Sequence, residues 1–231
     1  MGKPPISDNT MRKMYDAMEH LRSAQRDPSV WKAVPRAVRA SVATEPESLL
    51  AGVLSQLHRR DTLAVAGEHP LINIATGVFY PNPVASLHTV RVDGTDEECA
   101  AMAAGMAKRT LEEHRSPQPV TVALLRSFPA LTSVLAWMER QDLPLLLVAK
   151  DALEPRGITE RRIRSTKVPI LPVDAADTVA VCRAMQEALL RARNGWGGAV
   201  IHAISLPGSS TPLGLMRQRM QARGLFPDGE M

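Results

Sequence analysis

Apolar residues recur along this chain at two periods, and the switch between those periods outlines its elements. After a polar lead, Met11, Met14, Tyr15, Met18 and Leu21 fall at helical spacing and predict an amphipathic first helix. A second helix is expected from Thr44, where Thr44 and Glu47 have capping-box spacing and Pro46 suits a first turn. Its apolar stripe is Leu49, Leu50, Val53, Leu54 and Leu57. The short run 62–66 reads as a buried strand. Between Gly77 and Gly94 the pattern breaks, and Pro81 and Pro83 predict a loop.

Thr95 and Glu98 form another capping-box pair, opening a helix through Cys99, Met102, Ala103, Met106 and Leu111. Strand and helix then alternate. The apolar runs 120–125 and 143–149 flank a helical stretch, 129–141, and 168–173 is a further strand candidate. Asp177 caps a long helix reaching Arg193, 199–204 reads as a strand, and Thr211 with Pro212 starts a last helix that ends at Gly224. Continuously apolar strands separated by helices predict an α/β fold, a mostly parallel sheet with helices on both faces. The expected organisation is one domain over residues 1–231. It has a helical N-terminal region with a long loop (1–94), an alternating core (95–206) and a C-terminal helix (207–231).

Composition narrows the classes. The chain has 231 residues, enough for one substantial core. Aromatics are only 3% of it, so Leu, Val, Ala, Ile and Met must fill that core. No apolar run reaches the roughly 20 residues of a membrane span, and the polar start MGKPPISDNT lacks a secretory signal, so a cytoplasmic protein is expected. The net charge of +4 comes from short basic clusters accompanied by acids and not interleaved with aromatics. Solvated helix faces explain them better than a nucleic-acid surface. Cys99 and Cys182 lie far apart without metal-ligand spacing, and buried reduced thiols are expected.

One resemblance runs through most of the chain. Residues 173–203 (VDAADTVAVCRAMQEALLRARNGWGGAVIHA) look like the segment that follows the cofactor motif in the alpha chain of thiamine-diphosphate-dependent 2-oxo acid dehydrogenases, the E1 component. MRKMYDAMEHLR is similar to that family's opening helix. EPESLLAGVLSQLHRRD resembles its Gly-Gln-Glu-Ala helix and turn, keeping Glu47, Gly52, Leu57 and Asp61. The segment 103–125 resembles the helix and strand before the cofactor loop, and TPLGLMRQRMQARGL resembles the family's tail, with Pro212, Arg217, Gly224 and Leu225 retained. The resemblance implies a thiamine-diphosphate-binding fold, with that cofactor held through Mg²⁺. It also implies a homodimer or an E1 beta-like partner chain.

Three departures accompany it. Where the family has a Gly-Asp-Gly metal loop, this chain has Arg126, Ser127 and Phe128. The later Asn-Asn position falls near Lys150, Asp151 and Ala152, where Asp151 is a lone oxygen ligand of the hard type Mg²⁺ demands. At 66–72 the family's Tyr-Arg-Gly-His-Gly-His type segment is AGEHPLI, with Glu68 at the arginine position and His69 out of register. Its long active-site loop is reduced to SLPGSS. The expectation is therefore a non-catalytic, E1 alpha-like protein with a structural or regulatory role and no catalytic or metal-ligating residues.

Two other functions stay open. A working decarboxylating subunit would need Mg²⁺ on Asp151 and a different catalytic acid. A metal-free anion-binding module would use Arg126, Ser127, Lys150 and Asp151, the residues expected beyond the carboxyl ends of two strands. Against that stands the plainer reading of four solvent-facing loop residues, which is preferred. The histidines offer no constellation: His20, His58 and His114 sit on polar helix positions or ends, His88 in the predicted loop, and His202 within a strand. The Met11, Met14, Met18 stripe is expected to be packing, or a portion of a subunit interface.

Overall fold

The computed structural model describes residues 6–32, 34, 47–67, 69–82, 86–113, 118–127, 131–152, 167–205 and 211–225, without the side chains of Asp151 and Ala152. Six strands form one sheet, and every pairing in it is parallel. They are β1 (Thr62–Ala66), β2 (His88–Val92), β3 (Thr121–Leu125), β4 (Leu145–Ala152), β5 (Ile170–Asp174) and β6 (Ala199–Ser205). Their order across the sheet is β2-β1-β3-β4-β6-β5. The helices are α1 (Asp8–Arg26), α2 (Glu47–Leu54), α3 (Pro70–Phe79), α4 (Asp96–Glu113), α5 (Thr132–Gln141), α6 (Thr178–Arg193) and α7 (Pro212–Gln221).

The strand order decides which face each helix covers. Crossovers between parallel strands are right-handed, so reversing the direction of travel across the sheet changes the face. β1 to β2 and β5 to β6 step one way, and their helices α3 and α6 share a core with α2, centred on Leu49, Leu71, Val148, Met185 and Ile201. β2 to β3 and β3 to β4 step the other way, and α4 and α5 pack on the opposite face against Ala123, Leu125, Leu147 and Val200. The predicted α/β class, with helices on both faces of a parallel sheet, matches this architecture.

The predicted loop between Gly77 and Gly94 is corrected. It contains the end of α3, with Gly77 inside the helix, and all of β2. The alternation signal is weak in β2 because it is an edge strand: His88, Thr89 and Arg91 are exposed, and only Val92 is buried. His88 accordingly lies on a strand. The N-terminal region supplies two of the six strands, the expected one at Thr62–Ala66 and the unexpected β2. The Thr44–Pro46 start of the second helix lies outside the described residues.

The methionine stripe is packing. Met11, Met14 and Met18 are buried within the chain itself, in a cluster with Leu213, Met216 and Met220 of α7 and Ala51 of α2. Gly52 lets α2 and α6 approach closely: a Cβ there would lie 2.7 Å from Val181 Cγ1 and 3.1 Å from the Thr178 carbonyl oxygen.

At the amino ends of the strands, Asp61 is 1% exposed and ties its own turn to two distant pieces of chain. Its Oδ1 accepts from the Val120 N–H at 2.9 Å, and its Oδ2 from the His58 N–H at 2.7 Å and the Arg193 guanidinium at 2.6 Å. Asp61→Ala would leave Arg193 and two backbone N–H groups without their acceptor. A stability loss of about 3 kcal/mol in urea denaturation is expected, and a loss under about 1 kcal/mol would contradict the role given to this carboxylate. Gly52→Ala overpacks the α2–α6 contact and is expected to cost about 1–3 kcal/mol in the same assay.

Candidate functional site

Open parallel sheets take ligands beyond the carboxyl ends of their strands, where neighbouring strands send the chain to opposite sides. Here that place lies between β1 and β3: the chain leaves β1 for α3 on one face and β3 for α5 on the other. Gly67 follows β1, Arg126 and Ser127 follow β3, and α4 begins beside them at Asp96. The predicted capping box sets the start of α4. The Thr95 N–H donates to Glu98 Oε2 at 2.7 Å, and the Glu98 N–H donates to Thr95 Oγ1 at 3.2 Å.

With the helix started there, the Asp96 side chain turns inward and is 8% exposed. Its Oδ1 accepts from the Arg126 N–H at 3.2 Å and from Arg126 Nε at 3.3 Å. Its Oδ2 accepts from the Ser127 N–H at 3.1 Å and the Ser127 hydroxyl at 2.8 Å. An Arg126 terminal nitrogen also donates to the Gly94 carbonyl oxygen at 3.4 Å. Gly67 has φ +69°, a left-handed conformation that glycine adopts without strain, and a Cβ built there would sit 3.8 Å from Arg126 Nη1. The end of β3 and the start of α4 thus meet at one carboxylate, and Gly67 after β1 and Gly94 after β2 lie beside Arg126.

Of the four residues expected at the crevice, Arg126 and Ser127 are together, both bound to Asp96. Lys150 is half-buried near the end of β4, where its backbone pairs with Ala203. Strand alternation assigns it to the face of Leu146 and Val148, whereas Arg126 engages α4 on the opposite face. Asp151 pairs through its backbone with Ile204, and its side chain lies outside the described residues. Phe128 and SLPGSS, apart from Ser205, lie outside them as well. Asp96 itself escapes sequence reasoning. An acid in a first helical turn is ordinary helix-dipole chemistry, and only the fold shows that this one faces the end of β3.

A cavity of about 280 Å³ adjoins this cluster, lined by Val30, Val65, Gly67, Ile72, Thr89 and Arg91 among others. Gly67, His69, Pro70 and Ile72 line one side of it, with Pro70 in the first turn of α3 and His69 half-buried before it. Arg91 Nε donates to Asp93 Oδ1 at 2.7 Å. Of the other histidines, His20 Nδ1 lies 2.7 Å from the Asp16 carbonyl oxygen, His58 is exposed, and His202 is half-buried in β6. Glu68 and His114 lie outside the described residues. Among those residues, no three His, Cys, Asp or Glu side chains are grouped to hold a metal ion. No helix among them is long and apolar enough to cross a membrane. The chain matches no protein-family model and no curated protein.

Both cysteines are free and buried. Burial, reinforced by the negative charge of Asp96, pushes the Cys99 thiol up to about 12 against the smaller opposing pull of Arg126. Burial also raises Cys182, opposed by hydrogen bonds from Ser55 and Gln56 and by the charge of Arg183. Since the thiolate is the nucleophile, alkylation at pH 8 is expected only as fast as the protein unfolds; rapid labelling of the native protein would contradict this. The raised thiol has a stability signature too. Its contribution is complete below its unperturbed value of 9.0 and falls as pH rises from there towards 12, because the unfolded chain ionises first. Wild type should therefore lose more stability than Cys99→Ala between pH 8 and 10.

Proposed function

We propose that this chain is a non-catalytic relative of the alpha chain of the thiamine-diphosphate-dependent 2-oxo acid dehydrogenase E1 component. It serves a structural or regulatory role in a homodimer or beside an E1 beta-like chain. The carrying observation is the loop after β3. Where the resembled family has its Gly-Asp-Gly metal loop, this chain presents a guanidinium and a hydroxyl, both tied to Asp96. Mg²⁺ requires near-octahedral oxygen ligands, and both Asp96 oxygens are turned inward onto four donors. These residues do not fit a magnesium–diphosphate group, and no catalytic step is derived through one.

Two features support the rest of the reading. The all-parallel sheet with its crevice at β1 and β3 agrees with the fold that the resemblance implies, at the level of an α/β architecture. Leu190 in the last turns of α6 and Trp196 just beyond it are 61% and 60% exposed, and together they offer apolar surface for a subunit contact.

Calorimetric titration with thiamine diphosphate and Mg²⁺, repeated with EDTA and with an E1 beta-like chain, tests the proposal. No heat of binding is expected in any arm. Micromolar, Mg²⁺-dependent binding would overturn the non-catalytic reading and favour a working decarboxylating subunit. Light scattering of the same samples should give at least twice the 25.1 kDa of one chain, and a monomer that also ignores the beta-like chain would remove the subunit role.

A further inference from the structure

We propose that the loop after β3 is an anion cradle which this chain fills with its own Asp96 carboxylate. A small carboxylate or a phosphate group enters it, without metal, once that side chain is withdrawn. Two consecutive backbone N–H groups, one hydroxyl and one guanidinium nitrogen converge on a single point, and they are shared evenly: two donors to Oδ1 and two to Oδ2. Four donors, one of them cationic, aimed at one anionic group are the chemistry of carboxylate and phosphate recognition. No individual bond is unusually short. The cradle works by convergence, and by being held on rigid supports: the end of β3 in the middle of the sheet and the first turn of α4.

Three features make the place receptive to an external anion and not only to Asp96. The Arg126 side chain is 29% exposed, so its charge is partly withdrawn from solvent screening. Gly67 leaves the space beside Arg126 open, because it carries no side chain towards Nη1. Asp96 stands in the first turn of α4, an 18-residue helix, and a helix amino end favours negative charge. In the wild-type protein Asp96 satisfies all of this from within and keeps external anions out, which makes it an autoinhibitory contact at the crevice. The inference needs neither thiamine diphosphate nor Mg²⁺, so it stands or falls apart from the non-catalytic reading.

The test uses the full chain and two probes, sodium formate and inorganic phosphate, with sodium chloride at matched ionic strength as the control. Asp96→Ala leaves the donors unfilled, whereas Asp96→Asn keeps the volume and fills the cradle without charge. The melting temperature of Asp96→Ala should rise saturably with formate, phosphate or both, by roughly 3–5 °C at ten times the dissociation constant. Wild type and Asp96→Asn should follow the chloride control. A flat response of Asp96→Ala to both probes overturns the proposal, as does an equal rise in wild type. Should Asp96→Ala not fold alone, formate or phosphate must restore its refolding, and failure of both to do so overturns the proposal equally.

Discussion

The Asp61 carboxylate, buried at the amino ends of the strands, is the constraint on which the rest of the architecture rests. A charge almost wholly removed from water is tolerated only when its oxygens are fully engaged. Asp61 meets that requirement by recruiting the turn after α2 through His58, the start of β3 through Val120 and the last turn of α6 through Arg193. Tyr80, following α3, closes the same turn by donating to the carbonyl oxygens of Leu54 and Leu57. Burial and the nearby Asp61 charge, only partly offset by Arg193, raise its hydroxyl far above the ordinary tyrosine range, so it stays a donor. Segments far apart in sequence are thereby held in register at one end of the sheet.

A second carboxylate organises the opposite end in the same way. Asp96 gathers two backbone N–H groups and an arginine at the carboxyl end of β3, as Asp61 gathers two N–H groups and an arginine at the amino ends of β1 and β3. The two hubs differ in what surrounds them. Asp61 sits near Tyr80, with its arginine 20% exposed. Asp96 sits in the crevice where this kind of sheet takes its ligands, next to the cavity at β1 and β2. One hub therefore lies among the strand starts, and the other lies where parallel sheets take ligands.

Much of the molecule is legible in the chain. Strands buried on both faces need continuously apolar runs, so β1, β3, β4 and β6 stand out wherever they begin and end. Helices α1, α2, α4, α6 and α7 are marked by their stripes and caps, and the Thr95–Glu98, Asp177 and Thr211 caps all make the hydrogen bonds that their residue types predict. The edge strand β2 and the short helix α3 leave no comparable mark. An edge strand tolerates polar residues on both faces, and ten residues starting at Pro70 without a side-chain cap are hard to tell from loop.

The sequence alone determines the class of fold, an α/β sheet covered on both faces, because burial imposes periodicities that any reader of the chain can find. It also determines that the apolar run of β3 leads into Arg126 and Ser127. Tertiary structure decides what those residues do. Asp96 lies 30 positions before Arg126 and Asp61 lies 132 before Arg193. No local pattern encodes either pairing, since each is made only when strand order brings the ends of distant elements together. The same holds for the methionines of α1, whose spacing declares a buried stripe without saying whether another chain or α7 covers it. Periodicity records that a side chain leaves water; the order of strands in the sheet determines what it meets.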